Sequence, residues 1–330
     1  MKIISLFCGC GGMDLGLLKS GHTIVFANDN DADSLETYSN YITKKFKISK
    51  KHTVLGDITK ISSNTIPDAD VVVGGFPCQG FSVANAFRNQ KRYQEKNNNV
   101  LYIQMLRIIK EKKPKYFIAE NVTGILSLGG YQSKFHKEKK EGRVVSKILS
   151  EMRDAGYRVK FKILNVSNFG TPQNRKRVIF LGTRKDLKLD LTHPQPTHSF
   201  EEENLFLKKT PSLWQSIKDL EEKYESKKIF NHVGTKHKVK INGYMGNRQT
   251  IKNKLSPTIV GRGGGTGGPV IIPHPNEKRR LSVRETARLQ SFPDDMKFFG
   301  SISSCYRQIG NAVPWPLSYN LGKQLKLLKE

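Results

Sequence analysis

Cysteine is scarce in this chain. Four residues in 330 cannot make a disulfide framework. Cys8 and Cys10 are spaced C-x-C with no second pair and no histidine pair nearby, so no metal site is expected. None of the eight histidines falls in a triad or a metal-ligand spacing. Long apolar runs are missing too. The opening "MKIISLFCGCGGMDLGL" has a faint look of a signal segment, but its apolar run is too short and Asp14 follows soon after. No stretch approaches the roughly 20 apolar residues of a membrane span, so a reducing, cytoplasmic setting is expected. The phosphate-binding glycine spacings are also absent. "FCGCGG" is not G-x-G-x-x-G, and the stretch from Val260 to Ile272, "VGRGGGTGGPVII", has no G-K-[ST]. It reads as a flexible loop or, more sharply, as a loop lying against DNA.

Acidic residues are outnumbered. Lys and Arg total 56 against 29 Asp and Glu, a net charge of +27. Such an excess speaks of partners, and nucleic acid is the commonest polyanion; a solvated basic surface is the blander reading. Hydrophobic content of 37% and charged content of 26% suit a globular chain. The length allows one large domain and a smaller one. Through residue 185 strand and helix signals alternate: strands at "KIISLF", "TIVFAND", "HTVLGDI", "ADVVVGG" and "KYFIAENV", helices at "MDLGLLKSG", "DADSLETYSNYI", "LYIQMLRIIKEKKP" and "GRVVSKILSEMRDAGY", then strands "RVKFKILN" and "RVIFLGT". Near-continuous apolar strands between helices predict an α/β fold, a doubly wound, mostly parallel sheet covered on both faces. After Lys185 the periodicity fades into a charged, proline-containing region.

Ligands of such sheets bind beyond the carboxyl ends of the strands, and polar residues collect there. Asp29 ends the second strand, seventeen residues after Gly12, where an acid can bond ribose hydroxyls. Asp57 ends the third, where a carboxylate could accept from an adenine amino group. Each alone is more often a cap or turn residue. Together they describe a nucleoside cleft without a phosphate cradle, which S-adenosylmethionine fits. Cys78 follows Pro77 at the end of the fourth strand. A buried cysteine is usually an inert small hydrophobe, but this one leads into the polar and aromatic stretch Gln79-Gly80-Phe81-Ser82. Glu120 and Asn121 end the fifth strand, where a buried carboxyl could donate a proton. Arg175 and Arg177 open a later strand two residues apart, so alternation predicts that they share a face.

These motifs resemble those of the DNA (cytosine-5) methyltransferases. "FCGCGGMDLGL", "GGFPCQGFS", "AENV", "QNRKR", "RLSVRETARLQSFP" and "GNAVP" occur in the family's order across nearly the whole chain. One departure precedes Leu101: the family often has Arg-Gly or Arg-Asn there, and this chain has Asn97, Asn98 and Asn99. The resemblance implies a Rossmann-like, S-adenosylmethionine-dependent catalytic domain at 1–185 plus 305–330 and a small target-recognition domain at 186–304. It implies that Cys78 adds to C6 of a flipped-out cytosine, making C5 nucleophilic toward the cofactor's methyl group. Glu120 would hold N3 and the exocyclic amine, and Arg175 and Arg177 would bind O2 and neighbouring groups. Asn121 would orient Pro77. Phe7 would pack on the adenine; Gly9, Cys10, Gly12, Asp29, Asn30, Asp57, Ile58, Pro77, Leu101, Asn311 and Ala312 would complete the cofactor pocket. Gln79, Ser82 and Arg262 are the DNA contacts it suggests. The implied setting is a bacterial or phage type II modification enzyme, monomeric, acting on double-stranded DNA apart from any cognate restriction endonuclease.

Three rivals carry less. An RNA cytosine-5 methyltransferase of the two-cysteine kind needs a second nearby cysteine, and beyond the first motif only Cys78 and Cys305 remain. The transfer-RNA-modifying relatives carry a Cys-Phe-Thr motif that is not present. A catalytically inactive DNA-binding subunit has no reason to retain Cys78, Glu120, Arg175 and Arg177 together. A nicotinamide-dependent oxidoreductase lacks its fingerprint. "KFHKEKKEGR" reads as a solvated basic surface with a chance of touching phosphates, and "LSVRETARLQSF" as a structural tie between domains.

Overall fold

The computed structural model describes residues 1–76, 100–201, 206–223, 229–233, 250–261, 271–276 and 279–328. Its centre is a seven-stranded sheet. The strands are β1 (Lys2–Leu6), β2 (Thr23–Asp29), β3 (Thr53–Leu55), β4 (Val71–Gly74), β5 (Tyr116–Val122), β6 (Tyr157–Asn165) and β7 (Lys176–Arg184), in spatial order β3-β2-β1-β4-β5-β7-β6. The β1–β2, β1–β4, β2–β3 and β4–β5 pairs are parallel, and β7 runs antiparallel to both neighbours. The mostly parallel, doubly wound sheet expected from the sequence is therefore present.

Alternation assigns the two faces. Ile3, Val71, Val73, Ile118, Ile179 and Leu181 enter one apolar cluster; Ile4, Val72, Phe117, Ala119, Val178 and Phe180 enter the other. Each Val, Ile, Leu or Phe among them, fully withdrawn from water, contributes about 1.5–3 kcal/mol. The first face is covered by α1 (Gly12–Lys19), α2 (Ala32–Tyr38) and the C-terminal helices α8 (Ile302–Asn311) and α9 (Trp315–Lys326). The second is covered by α3 (Val100–Lys112) and α5 (Arg143–Asp154), with the short α4 (Lys134–Glu138) ahead of α5. The helix expected at 31–42 is present, but beyond Tyr38 it widens into a π-helical turn, Ser39–Thr43. The third strand is shorter than expected, three residues at the sheet edge flanked by 3-10 turns.

The chain leaves β1 toward β2 and β3, then returns to β4 on the other side of β1. The carboxyl ends of β1 and β4 thus frame a topological switch point, where open α/β sheets form their ligand crevice. The C-terminal helices close back on the start of the chain. The Gly322 carbonyl lies 2.8 Å from His22 Nε2, and Thr37 Oγ1 donates to Gln308 Oε1 at 2.7 Å. The region after β7 contains β8 (His198–Ser199), β9 (Lys208–Lys209), α6 (Leu213–Ile217) and α7 (Val283–Leu289). Leu213, Ile217, Ile259, Leu281 and Val283 join the first apolar cluster, so this region's described core is continuous with that of the sheet. Among the described residues no helix is long and apolar enough to cross a membrane.

Candidate active site

The turn after β1 is built for close approach. Phe7 and Gly9 have φ of 55° and 53°, and the Gly9 N–H donates to Asp29 Oδ2 at 2.7 Å. The other Asp29 oxygen accepts the Asp31 N–H at 2.9 Å. Burial raises the Asp29 carboxyl above the usual carboxylate range, while the backbone N–H donors of Asp31 and Gly9 oppose it. A Cβ at Gly9 would meet nothing within 4 Å, so the turn is open on that side. Beside it Phe7 is half-buried, Asn30 exposed and Cys10 buried, its sulfur 3.6 Å from the Gln308 carbonyl. Gly12 faces the C-terminal segment so closely that a Cβ would lie 2.3 Å from the Val313 carbonyl oxygen and 3.1 Å from Ala312 Cβ. That contact brings Ala312, with exposed Asn311 before it, to the same turn.

After β3, Asp57 takes the cap position: it is exposed and accepts the Thr59 N–H at 2.9 Å, which holds its carboxyl below the usual range. Ile58 is buried beneath it. Arg107 of α3 donates to the carbonyls of Ile58 and Ile61 at 3.0 and 3.1 Å, fixing this turn. Sequence reasoning missed that arginine, because a backbone carbonyl leaves no mark on residue type. Leu101 is half-buried at the start of α3. An apolar ring, a half-buried strand-end acid, an open glycine turn and a second, exposed acid fit an adenosine-bearing cofactor, and among the described residues no cluster could hold a metal ion.

The second half of the site lies at the ends of β4, β5 and β7. In register, Val122 opposes Arg177 and Glu120 opposes Ile179, so Glu120 and Arg177 are diagonal neighbours on one face. Arg177 Nε lies 2.8 Å from Glu120 Oε1, in a pair that is about nine-tenths buried. Burial pulls the Arg177 guanidinium down and the Glu120 carboxylate opposes the shift. A Cβ on Gly75 would sit 3.0 Å from Glu120 Oε2, which puts the carboxylate against the chain leaving β4. Asn121 Nδ2 donates to the Phe76 carbonyl at 3.1 Å, and its Oδ1 accepts the Val122 N–H at 2.8 Å. The residue before Pro77 is thereby fixed. Pro77, Cys78, Gln79, Ser82 and Arg262 themselves lie outside the described residues.

Arg175 lies close enough to the Glu120–Arg177 pair to feel both charges. It precedes β7, so strand alternation does not govern it, and it is 1% exposed. Its guanidinium donates to the carbonyls of Ile259, Gly310 and Ala312. These bonds tie separate segments together, while the buried Nε of Arg175 has no hydrogen-bond partner among the described residues. Gln173 and Gln290, also missed, do similar work: Gln173 Nε2 donates to Gln290 Oε1 at 2.9 Å, and Gln290 Nε2 to the Ile309 carbonyl at 2.6 Å.

Comparison with known proteins accords with this geometry. The model of the C-5 cytosine-specific DNA methylase family matches residues 1–327. The chain is 35% identical to the type II methyltransferase M.NgoFVII of Neisseria gonorrhoeae, over 95% of this chain and 83% of that protein. It is 34% identical to M.FnuDI of Fusobacterium nucleatum, over 99% and 94%. In fold it is similar to the S. pombe Dnmt2 methyltransferase, with a TM-score of 0.68, 19% identity and full coverage of both chains. A glycine turn and strand-end acids at the switch point, an acid–arginine pair at the neighbouring strand ends and a family match along almost the whole length lead to one conclusion: the chain belongs to the C-5 cytosine-specific DNA methylases and is a DNA cytosine-5 methyltransferase with S-adenosylmethionine as its methyl donor.

Proposed function

We propose that methyl transfer runs through a bond between Cys78 Sγ and C6 of a flipped-out cytosine in double-stranded DNA. The observation that carries this reading is the Glu120–Arg177 pair, set against Gly75 only three residues before Cys78. The other cysteines are poor alternatives. Burial raises the thiol pKa of Cys8 and Cys10 far above the usual thiol range and pushes Cys305 up to about 11, so none supplies a thiolate at neutral pH.

The Cys78 thiolate attacks C6, and the electrons of the C5–C6 double bond are delivered to C5. Glu120 holds the exocyclic amine and donates a proton to N3, so the adduct is a neutral enamine that is nucleophilic at C5. Arg177 orients Glu120 and reaches toward O2. Bound S-adenosylmethionine supplies the methyl group that C5 takes up. A base then removes the C5 proton, the double bond re-forms and the Cys78–C6 bond breaks. Asn121, through the Phe76 carbonyl, positions the segment that carries the nucleophile. Arg175 acts as a positioning residue between the segments of Ile259 and Gly310. Asp29 binds the ribose, Asp57 the adenine amino group, and Phe7, Asn30, Ile58, Leu101, Asn311 and Ala312 line the remainder. Gln79, Ser82 and Arg262 contact DNA.

Residues 1–185 with 305–330 act as the catalytic domain and 186–304 as the target-recognition domain. The type II names of the relatives support a role in host DNA protection; in this reading the enzyme is a cytoplasmic monomer that acts apart from any cognate endonuclease. The test is transfer of labelled methyl groups to duplex DNA by single cysteine variants. Cys78→Ser should lose turnover by three orders of magnitude or more, on the order of a removed nucleophile, while Cys305→Ser retains it. Activity surviving in Cys78→Ser, or label appearing on RNA alone, contradicts the reading.

A further inference from the structure

Between β5 and α5 the chain makes an excursion, residues 129–142, that the chemistry above does not use. Its ends are pinned together. The Gly142 N–H donates to the Leu126 carbonyl at 2.8 Å and the Arg143 N–H to the Gly130 carbonyl at 3.0 Å. Gly142 approaches so closely that a Cβ there would lie 2.7 Å from the Leu126 oxygen. Within the excursion, Ser133 caps α4 by accepting the His136 N–H, and the Glu141 N–H donates to the His136 carbonyl at 2.8 Å. The result is a fixed projection.

Its surface is cationic. Lys134, Lys137, Lys139, Lys140 and Arg143 are all exposed, and among the described residues none is in an ion pair. Glu138 and Glu141 are the only acids from 129 to 143, leaving an excess of three positive charges. Phe135 is 57% exposed, and Lys139 Nζ stands 4.2 Å from its ring centroid. The ring holds one ammonium upright by cation–π attraction.

Placement gives the ridge its meaning. β5 carries Glu120 and Asn121 to the carboxyl edge and ends at Val122; the excursion begins seven residues later, and α5 then runs back from that edge toward the start of β6. A duplex with a base at Glu120 must pass along this edge.

We propose that the 129–143 ridge is a second contact surface for the substrate duplex, gripping phosphates that flank the target site. Phosphate contacts position a duplex without reading its sequence. The ridge sets where the duplex lies across the edge, and the recognition region reads it. This proposal rests on the placement of the target base at Glu120 and Arg177; its test reads binding alone, so it does not depend on how Cys78 or Glu120 reacts.

The experiment compares the wild-type protein with two variants of equal charge loss. In one, Lys134, Lys137, Lys139 and Lys140 are changed to Gln. In the other, Lys110, Lys113, Lys185 and Lys188 are changed to Gln. These four are exposed lysines at the opposite, amino edge of the sheet. The seven-residue strand β5 separates the edges by roughly 20 Å, about twice the screening length at 0.1 M salt. Affinity for a duplex extending about one helical turn (~10 base pairs) on each side of the target is measured from low to moderate salt. The ridge variant should bind roughly ten- to a hundred-fold more weakly at about 0.1 M salt, with a log–log salt slope shallower by about 2–4. The amino-edge variant should track the wild type. Progressive trimming of the duplex from one end should weaken the wild type and leave the ridge variant's affinity flat. Equal losses in both variants would mean that only total charge matters. A ridge variant with wild-type affinity and slope, and an unchanged thermal midpoint showing it folded, would likewise overturn the proposal.

Discussion

Single residues at strand ends were the most legible part of this protein. A glycine turn, a proline–cysteine pair and acids at the ends of apolar runs announce a crevice because buried strands rarely end in such groups without a purpose. Arg175 also does work that the sequence does not announce. Its acceptors are carbonyls of Ile259, Gly310 and Ala312, up to 137 positions away, and no residue type at those positions signals a waiting guanidinium. Glu120 and Arg177 are the more direct test at this scale. Glu120→Gln keeps the shape but removes the acid facing N3, so single-turnover methyl transfer should slow by about 10²–10³. DNA binding without cofactor should change far less; an equal loss in both would make Glu120 a binding residue only.

Asp14 gives a second test. It is fully buried and accepts from Ser5 Oγ at 2.6 Å and Tyr38 OH at 2.8 Å. Burial raises its carboxyl pKa to about 6, against these hydroxyls, which lower it. The folded pKa lies above the unfolded one, so Asp14's favourable contribution is complete below about pH 4 and is lost as pH rises through 6. At pH 8 the ionised residue costs on the order of 3 kcal/mol relative to its protonated form. Asp14→Asn should therefore gain on the wild type in urea titrations as pH is raised from 4 to 8. A stability difference independent of pH would refute this account.

Elements were legible where apolar alternation was strong. β1, β4, β5 and β7 each send alternate residues to two cores, and that pattern lies open in the sequence. The reversed direction of β7 was not legible, because periodicity carries no polarity. Neither was the short edge strand β3, whose three residues are too few for a period. Between β7 and α8 the described elements are brief, two to seven residues each, which leaves no repeat to read. The α1–α9 contact shows how a glycine can set an element's position. A Cβ at Gly16 would lie 2.1 Å from Ser318 Oγ, 2.3 Å from the Trp315 carbonyl and 2.5 Å from the Tyr319 nitrogen. Two of these are backbone atoms, so the helices must part. Gly16→Ala should cost about 1–3 kcal/mol by overpacking, despite alanine's better helix propensity, and would be read as a lowered urea midpoint. An unchanged or raised midpoint would show that the helices separate freely.

At the scale of the whole molecule, the excess of 27 positive charges was plain from composition and named the partner class, but not where the duplex lies. That required the fold, which places the turn after β1, Asp29 and the acid–arginine pair along one edge of the sheet. The central claim is that Cys78, arriving at this edge, bonds to C6 of the target base. In the proposed sequence that bond is released only when a proton leaves C5. Fluorine cannot depart as a cation, so duplex DNA with 5-fluorocytosine at the target should trap the enzyme after methyl transfer. The account predicts an adduct that survives denaturing electrophoresis, requires S-adenosylmethionine and does not form with Cys78→Ser. An adduct that persists in Cys78→Ser, or none with the unaltered enzyme on its own site, would contradict it.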